Sequence, residues 1–204
     1  MIVSVSPAAL VGEFAASEVD YPPTLTIEVR DRALNPEACR VSFTVSSLAE
    51  AAGDAVFLCD IEPVTSMAHG GLKRDQDYYG DVGFELRGRH FGKGIMICPR
   101  REGPSEVVYD ISDHPGLRTF RAVIGVEDAT GTNGSVTFEV HVDDGAGAWK
   151  KLYGSDTLRG GGAVKAITVD LGETNRLRLV CTDAGDGHGS DHATWANARL
   201  EASR

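Results

Sequence analysis

Residues 181–202 read CTDAGDGHGSDHATWANARLEA. Three carboxylates, Asp183, Asp186 and Asp191, stand there with two imidazoles, His188 and His192, in a run broken by glycines. Side chains of these types hold cations or move protons when a fold brings them together. Three readings are open: a structural loop whose aspartates bond their own backbone, a calcium site, and a zinc site built from His188, His192 and an aspartate. An EF-hand register started at Asp183 puts Gly185 and Gly187 where ligands are needed. DGHGSDHAT (186–194) partly matches the repeat-in-toxin nonapeptide, but one copy cannot stack on itself. Two histidines four apart would share a helix face, which so glycine-rich a stretch does not form. Oxygen donors favour the harder ion, calcium, over zinc. His188, at the loop tip between glycines, is the residue here best placed to meet a ligand.

Elsewhere the catalytic signals are weak. No GxSxG elbow and no HExxH occur. Cys98 has His90 and His114 as formal partners, but GIMICPR shows no activating context. Most carboxylates sit in glycine-rich turns, where aspartate serves local backbone bonds. Catalysis is not expected. Glu127 and Asp128, in GVEDATG, form a second acidic turn that reads equally as a solvated turn or as a calcium or sugar contact. Rings on loops have their own chemistry, because an apolar pyranose face stacks on an aromatic while hydroxyls meet polar groups. His69, Tyr78, Tyr79, Trp149, Tyr153, His188 and Trp195 are the loop candidates. Trp195 alternates with Ala193 and Asn197 and reads equally as core. One ring of Tyr78 and Tyr79, after the loop-like KRDQD, is expected at the surface.

The elements that must position these residues are strands. TLTIEVR (24–30), RVSFTVSS (40–47), SEVVYDI (105–111), TFRAVIGVED (119–128), SVTFEVHV (135–142), KAITVDL (165–171) and RLRLVCT (176–182) alternate or run β-rich. Turns such as ATGTNGS, DDGAGA, RGGGA and GETN separate them. SSLAEAAG (46–53) is the one helix-like turn. This predicts an all-β antiparallel sandwich or jelly roll, and the lack of crossover helices excludes a parallel α/β fold. Asn133-Gly134 fits a turn needing positive φ, with Val136, Phe138, Val140 and Val142 pointing inward after it. Asn133-Gly134-Ser135 is also a formal glycosylation sequon, but turn chemistry already accounts for its residues. Residues 1–52 differ in texture and are expected to be a β-rich extension or the remnant of a preceding domain, joined near AEAAGDA to a main domain over 53–204.

With 204 residues, 42% of them hydrophobic, the chain can build one good core. Its net charge of −10, without a basic cluster, argues against nucleic acid and anionic membranes as partners and suits neutral or cationic ligands, calcium included. No apolar run approaches the roughly 20 residues that span a bilayer. The start, MIVSVSPAALVGEFAASEVD, lacks a basic region before its apolar stretch and is a weak signal-peptide candidate. Cys39, Cys59, Cys98 and Cys181 lie in strand-like runs without a CxxC pair, so buried free thiols are the first reading and one or two disulfides the second.

FLCDIEPVTSMAHGGLKRD (57–75), GRHFGKGIMI (88–97), SEVVYDIS (105–112), FRAVIGVEDATGTNGSVTFEVHVDD (120–144), KKLYGSDTLRGGGAVKAITVDL (150–171) and RLRLVCTDAGDGHGSDHATWANARLE (176–201) follow one another in an order that resembles the NPCBM family, grouped as carbohydrate-binding module family 51. The resemblance covers about 57–202. It implies a galactose-binding-domain-like jelly-roll β-sandwich. It also implies non-catalytic binding of glycans ending in galactose or N-acetylgalactosamine, a covalently linked glycoside hydrolase domain, an extracellular or cell-surface location and, from the wider fold group, a structural calcium ion (Ca2+). The residues expected to bind carbohydrate are His69, Tyr79, Glu106, Trp149 and His188. Those expected to hold the metal are Asp60, Asp128, Asp183 and Asp191. His69 stands where the family usually carries Trp. Where the family reads GxGxHAPSE, this chain reads GIMICPRREGPSE (94–106), with Cys98 near the place of the family His and an inserted Arg100-Arg101. That insertion either turns the site toward an acidic sugar or abolishes sugar binding. The alternative reading is therefore a structural or protein-interaction domain of the same fold.

Overall fold

The structure, a computed structural model, describes residues 24–29, 39–44, 55–143 and 147–202. Its internal contacts fall into two units, Met1–Ala52 and Gly53–Arg204. In the first, β1 (Thr24–Val29) pairs antiparallel with β2 (Cys39–Thr44), Thr24 opposite Thr44 and Val29 opposite Cys39. The helix-like segment 46–53 lies outside the described residues.

The second unit is a jelly-roll β-sandwich. One sheet runs β14 (Lys165–Asp170), β10 (Leu117–Val126), β16 (Ala193–Ala202), β8 (Gly94–Cys98), β5 (His69–Arg74), with β3 (Val56–Phe57) also on β16. The other runs β12 (Trp149–Gly154), β11 (Ser135–Asp143), β15 (Arg176–Thr182), β9 (Ser105–Asp110), β4 (Thr65–Met67), with β13 (Leu158–Arg159) also on β11. All of these pairs are antiparallel. The alternating residues face inward as their period predicts: Val136, Phe138, Val140 and Val142 of β11 and Leu177, Leu179 and Cys181 of β15 meet Phe120 and Ile124 of β10 and Trp195 of β16 in one core. Trp195 is fully buried and ties the two sheets. Its ring lies edge-on to Phe138 at 5.0 Å and its Nε1–H donates to Cys181 Sγ at 3.3 Å.

β8 is buried at all five positions. The reason lies outside the sandwich, where a hairpin of β6 (Phe84–Leu86) and β7 (Arg89–Phe91) covers the outer side of the first sheet. Leu86 and Phe91 pack there on Val123 and Ala196, and Phe84 packs on Met96 and Cys98 with Tyr78 beside them. A strand covered on both faces reads as a continuous apolar run, as GIMIC does. Cys59, Cys98 and Cys181 are buried free thiols. The side chain of Cys39 lies outside the described residues.

Candidate functional site

Three segments meet where β15 passes into β16. The first begins β5. His69 pairs across to Cys98, and the Gly70-Gly71 turn behind it adopts φ of +70° and +79°. A Cβ on Gly70 would stand 2.9 Å from Cε2 of Tyr78, so glycine is what lets the chain lie against that ring. The second segment is the loop 75–83. Asp77 is its hub: the buried carboxylate accepts the N–H groups of Tyr79, Gly80 and Asp81 at 2.9, 2.7 and 2.8 Å on one oxygen. An aspartate that binds its own following backbone fixes a tight turn. This one sets Tyr78 and Tyr79 side by side.

The third segment is the 183–192 loop. Asp183 accepts from Gly185 N–H at 3.0 Å. Ser135, at the start of β11, holds the loop twice: its N–H donates to Asp191 Oδ1 at 2.7 Å and its hydroxyl to Asp186 at 2.5 Å. Gly134, at φ +82°, supplies the positive-φ turn position expected of Asn133-Gly134, and a Cβ there would collide with the carbonyl of Ser190. Burial raises the Asp191 carboxyl to about 6 against the pull of the Ser135 N–H, with Asp186 and Asp183 adding to the rise. Burial likewise holds the His192 imidazole below its usual value.

Together these segments assemble five rings. Tyr78 lies parallel to His69 (6.2 Å between centroids, 2° between planes) and stacks on His192 (4.7 Å, 25°). Tyr79 stands edge-on to Tyr78 and to His192, both at 5.6 Å. His188 stands edge-on to His69 at 5.4 Å. Tyr79 is 71% exposed, and His69 is exposed beside it. The arrangement offers flat apolar ring faces next to imidazole nitrogens and a phenol hydroxyl, the mixture that takes a sugar's apolar face and its hydroxyls.

Of the residues expected to bind carbohydrate, the structure brings His69, Tyr79 and His188 into this cluster. Glu106 and Trp149 lie elsewhere, on the outward side of the second sheet. There Arg178 pairs with Glu106 at 3.5 Å and sits over the Trp149 ring at 4.7 Å, with His141 Nδ1 at 3.3 Å. Tyr78 and His192 complete the cluster. Sequence reasoning placed Tyr78 only among loop rings and His192 only in the zinc reading, one of three left open. The Asp77 pattern, an aspartate just before the paired tyrosines, was the available signal for a fixed ring-bearing turn.

The four carboxylates expected at a metal lie in three separate places. Asp60 pairs with the Lys93 ammonium at 2.7 Å. Asp128 receives Arg87 N–H at 2.9 Å and Gly88 N–H at 2.6 Å, one on each oxygen, while its neighbour Glu127 is buried and receives Glu85 N–H and Ala129 N–H. That acidic turn therefore anchors the β6–β7 hairpin. Asp183 and Asp191 share the 183–192 loop, and Asp191 Oδ2 is buried without a hydrogen-bond partner. Among the described residues, the one trio of metal-ligating side chains whose donor atoms lie within 4.8 Å of one another is Cys59, Asp60 and Asp75, and Lys93 is bonded to both of its carboxylates. Burial pushes the Cys98 and Cys59 thiols up to about 12 and also raises Cys181, so none of the three is a nucleophilic thiolate near neutral pH.

Residues 54–201 match the NPCBM/NEW2 domain family. The CBM51 module of Clostridium perfringens GH95, solved in complex with methyl-galactose, superposes with a TM-score of 0.64 at 27% identity, covering 72% of this chain and all of that one. The second CBM51 module of Clostridium perfringens ZmpB, solved with its INT domains, superposes at 0.63 and 24% identity over 87% of this chain and 36% of that one, which shows the shared fold. Over 81 residues, 40% of its length, the chain is 35% identical to a Renibacterium salmoninarum protein provisionally named an endo-alpha-N-acetylgalactosaminidase. The match spans 5% of that relative's own length.

Proposed function

The chain belongs to the NPCBM/NEW2 domain family of carbohydrate-binding modules, and from that premise we propose that it is a non-catalytic module that binds terminal galactose-type sugars, galactose or N-acetylgalactosamine, on glycans. The observation that carries the reading is the five-ring cluster with Tyr79 standing 71% exposed at its edge. The methyl-galactose complex of a 27% identical module supports the choice of sugar. The match to a family whose solved relatives are carbohydrate-binding modules supports the non-catalytic role. The relatives' attachment to hydrolases supports a further part of the proposal, that the module is an appendage of a secreted glycoside hydrolase. Among the described residues no helix is long and apolar enough to cross a membrane.

For calcium, the 183–192 loop is the proposed location, with Asp183 and Asp191 as ligands, because Asp191 Oδ2 is buried without a partner while Asp60 and Asp128 are engaged by other bonds. The ion would supply structural order to that loop. Its test is the melting temperature in calcium against chelator: a rise with calcium that Asp183→Asn removes is expected, and equal melting overturns it.

The function is tested by titrating the chain with galactose, N-acetylgalactosamine and glucose. Saturable binding of the first two, lost in Tyr79→Ala, is expected. No binding of either galactose-type sugar overturns the proposal and favours a structural or protein-interaction role for the same fold.

A further inference from the structure

The chain is acidic overall, at net −10, and many of its cations have carboxylate partners. Arg74 pairs with Glu62, Lys93 with Asp60 and Asp75, and Arg178 with Glu106. Beside the ring cluster the pattern changes. Lys73 lies on β5, four residues after His69, with its ammonium 5.7 Å from the centroid of Tyr78, and among the described residues it has no carboxylate partner. Cys98 lies opposite His69, so the segment after Cys98 leaves the sheet at the end where β5 begins. This segment, residues 99–104, is the one that carries Arg100 and Arg101.

The segment is a closed turn. The Ser105 hydroxyl donates to the Cys98 carbonyl at 2.8 Å across its base, and Arg100 Nη2 donates to the Pro104 carbonyl at 3.1 Å along its length. Arg100 thus braces the turn while Arg101 is exposed on it, again without a carboxylate partner among the described residues. Of the acids on the 183–192 loop, Asp191 accepts from Ser135 N–H, Asp186 from the Ser135 hydroxyl and Arg159, and Asp183 from Gly185 N–H. Glu106 is held by Arg178, and Asp77 is engaged by three N–H groups. Glu102 and Asp81 are exposed single charges on the two loops. Lys73 and Arg101 are thus two cations without carboxylate partners among the described residues, one on the strand that begins with His69 and one on the turn that follows Cys98, the partner of His69 across the sheet.

We propose that the saccharide recognised at this site carries an anionic substituent, a carboxylate or a sulfate, which Lys73 and Arg101 bind while the rings hold the sugar. The inference rests on the glycan-binding reading above. An exposed guanidinium presents paired N–H donors that match either oxyanion, and an ammonium adds a point charge. The contact is electrostatic and therefore weakens as salt rises.

The test is titration of the chain with lactose, sialyllactose and sulfated lactose at low and high salt. The expected result is an affinity on the order of tenfold higher for an anionic form than for lactose, shrinking with salt. Sialyllactose alone showing the gain identifies a carboxylate, and sulfated lactose alone identifies a sulfate. In Arg101→Glu and Lys73→Met the ratio of anionic to neutral affinity falls toward one, while Arg101→Lys retains most of it. Unaltered melting in these variants separates the effect from misfolding. Equal affinity for all three sugars overturns the anionic inference and leaves the galactose-type reading standing. No binding of any of them overturns both.

Discussion

The phenol ring of Tyr78 lies 4.7 Å from the imidazole of His192, their planes 25° apart, although the two residues are 114 positions apart in the chain. The contact joins the loop after β5 to the residue before β16. It joins the rings into one surface, with Tyr78 half-buried against Phe84, Met96 and Cys98 beneath. Tyr79, by contrast, projects outward.

That difference separates binding from folding. Tyr79→Ala removes an exposed ring and should lower galactoside affinity by roughly 30-fold, the effect of losing an anchor worth about 2 kcal/mol. Melting should move little, since surface substitutions stay within about 0.5 kcal/mol. Titration calorimetry and thermal melting on the same sample check both halves. A large drop in melting temperature would contradict the assignment of Tyr79 to the surface.

Gly70→Ala should disturb the cluster from beneath. The new methyl meets Tyr78 Cε2 at 2.9 Å on a backbone at φ +70°, a region that costs an L-residue about 1–2 kcal/mol. The expected outcome is weaker sugar binding together with a modest loss of stability. Chemical-shift changes in the Tyr78 and His69 rings would locate the effect.

Asp191 is the anchor of the 183–192 loop. Asp191→Ala leaves the buried Ser135 N–H without its acceptor at 2.7 Å and should cost about 1–3 kcal/mol in denaturant unfolding. Asp191→Asn keeps an acceptor oxygen and should cost less. Equal losses for the two would show that the hydrogen bond is not what matters.

Asp75 gives the pH dependence a definite sign. Burial alone would raise its carboxyl, but the Cys59 thiol, the Gly94 N–H and the Lys93 ammonium together hold it below its ordinary value. A depressed carboxyl contributes stability that is fully present above the unfolded pKa of about 3.9 and is lost as pH falls through the folded value. Unfolding free energy should therefore decline on the acid side below about pH 4, and Asp75→Asn should flatten that decline. An unchanged acid slope in the variant would remove Asp75 from the account.

Trp149→Ala tests the separation of the two ring-bearing places. Trp149 lies under the Arg178 guanidinium on the second sheet, and losing that contact should cost about 0.5–1 kcal/mol of stability. Galactoside binding at the Tyr78–Tyr79 cluster should survive. Loss of binding with intact folding would place a sugar contact on the sheet instead.

Much of the fold was legible in the sequence because a strand with one buried face writes its orientation as period-two alternation. SVTFEVHV became β11 with its four expected inward residues, and KAITVDL and RLRLVCT became β14 and β15. The ordered NPCBM-like segments named the family that the match over 54–201 shows. β8 hid its full extent because both of its faces are covered, which erases alternation. β3, β6, β7 and β13, at two or three residues, are too short to show any period.

The candidate site divides in the same way. Residue type alone marked His69, Tyr79 and His188 as rings on loops; Tyr79 and His188 are on loops, whereas His69 opens β5 and pairs with Cys98. Nothing local distinguishes those three from Trp149 and Glu106. Which rings share a surface is decided by strand pairing between distant segments: His69 faces Cys98 across β5 and β8, while Trp149 faces Asp143 across β12 and β11. The acidic residues show it most plainly. Glu127, Asp128 and Asp191 look alike in sequence, and only the tertiary structure assigns each to the distant backbone N–H groups it holds, because those donors lie 40 to 56 residues away.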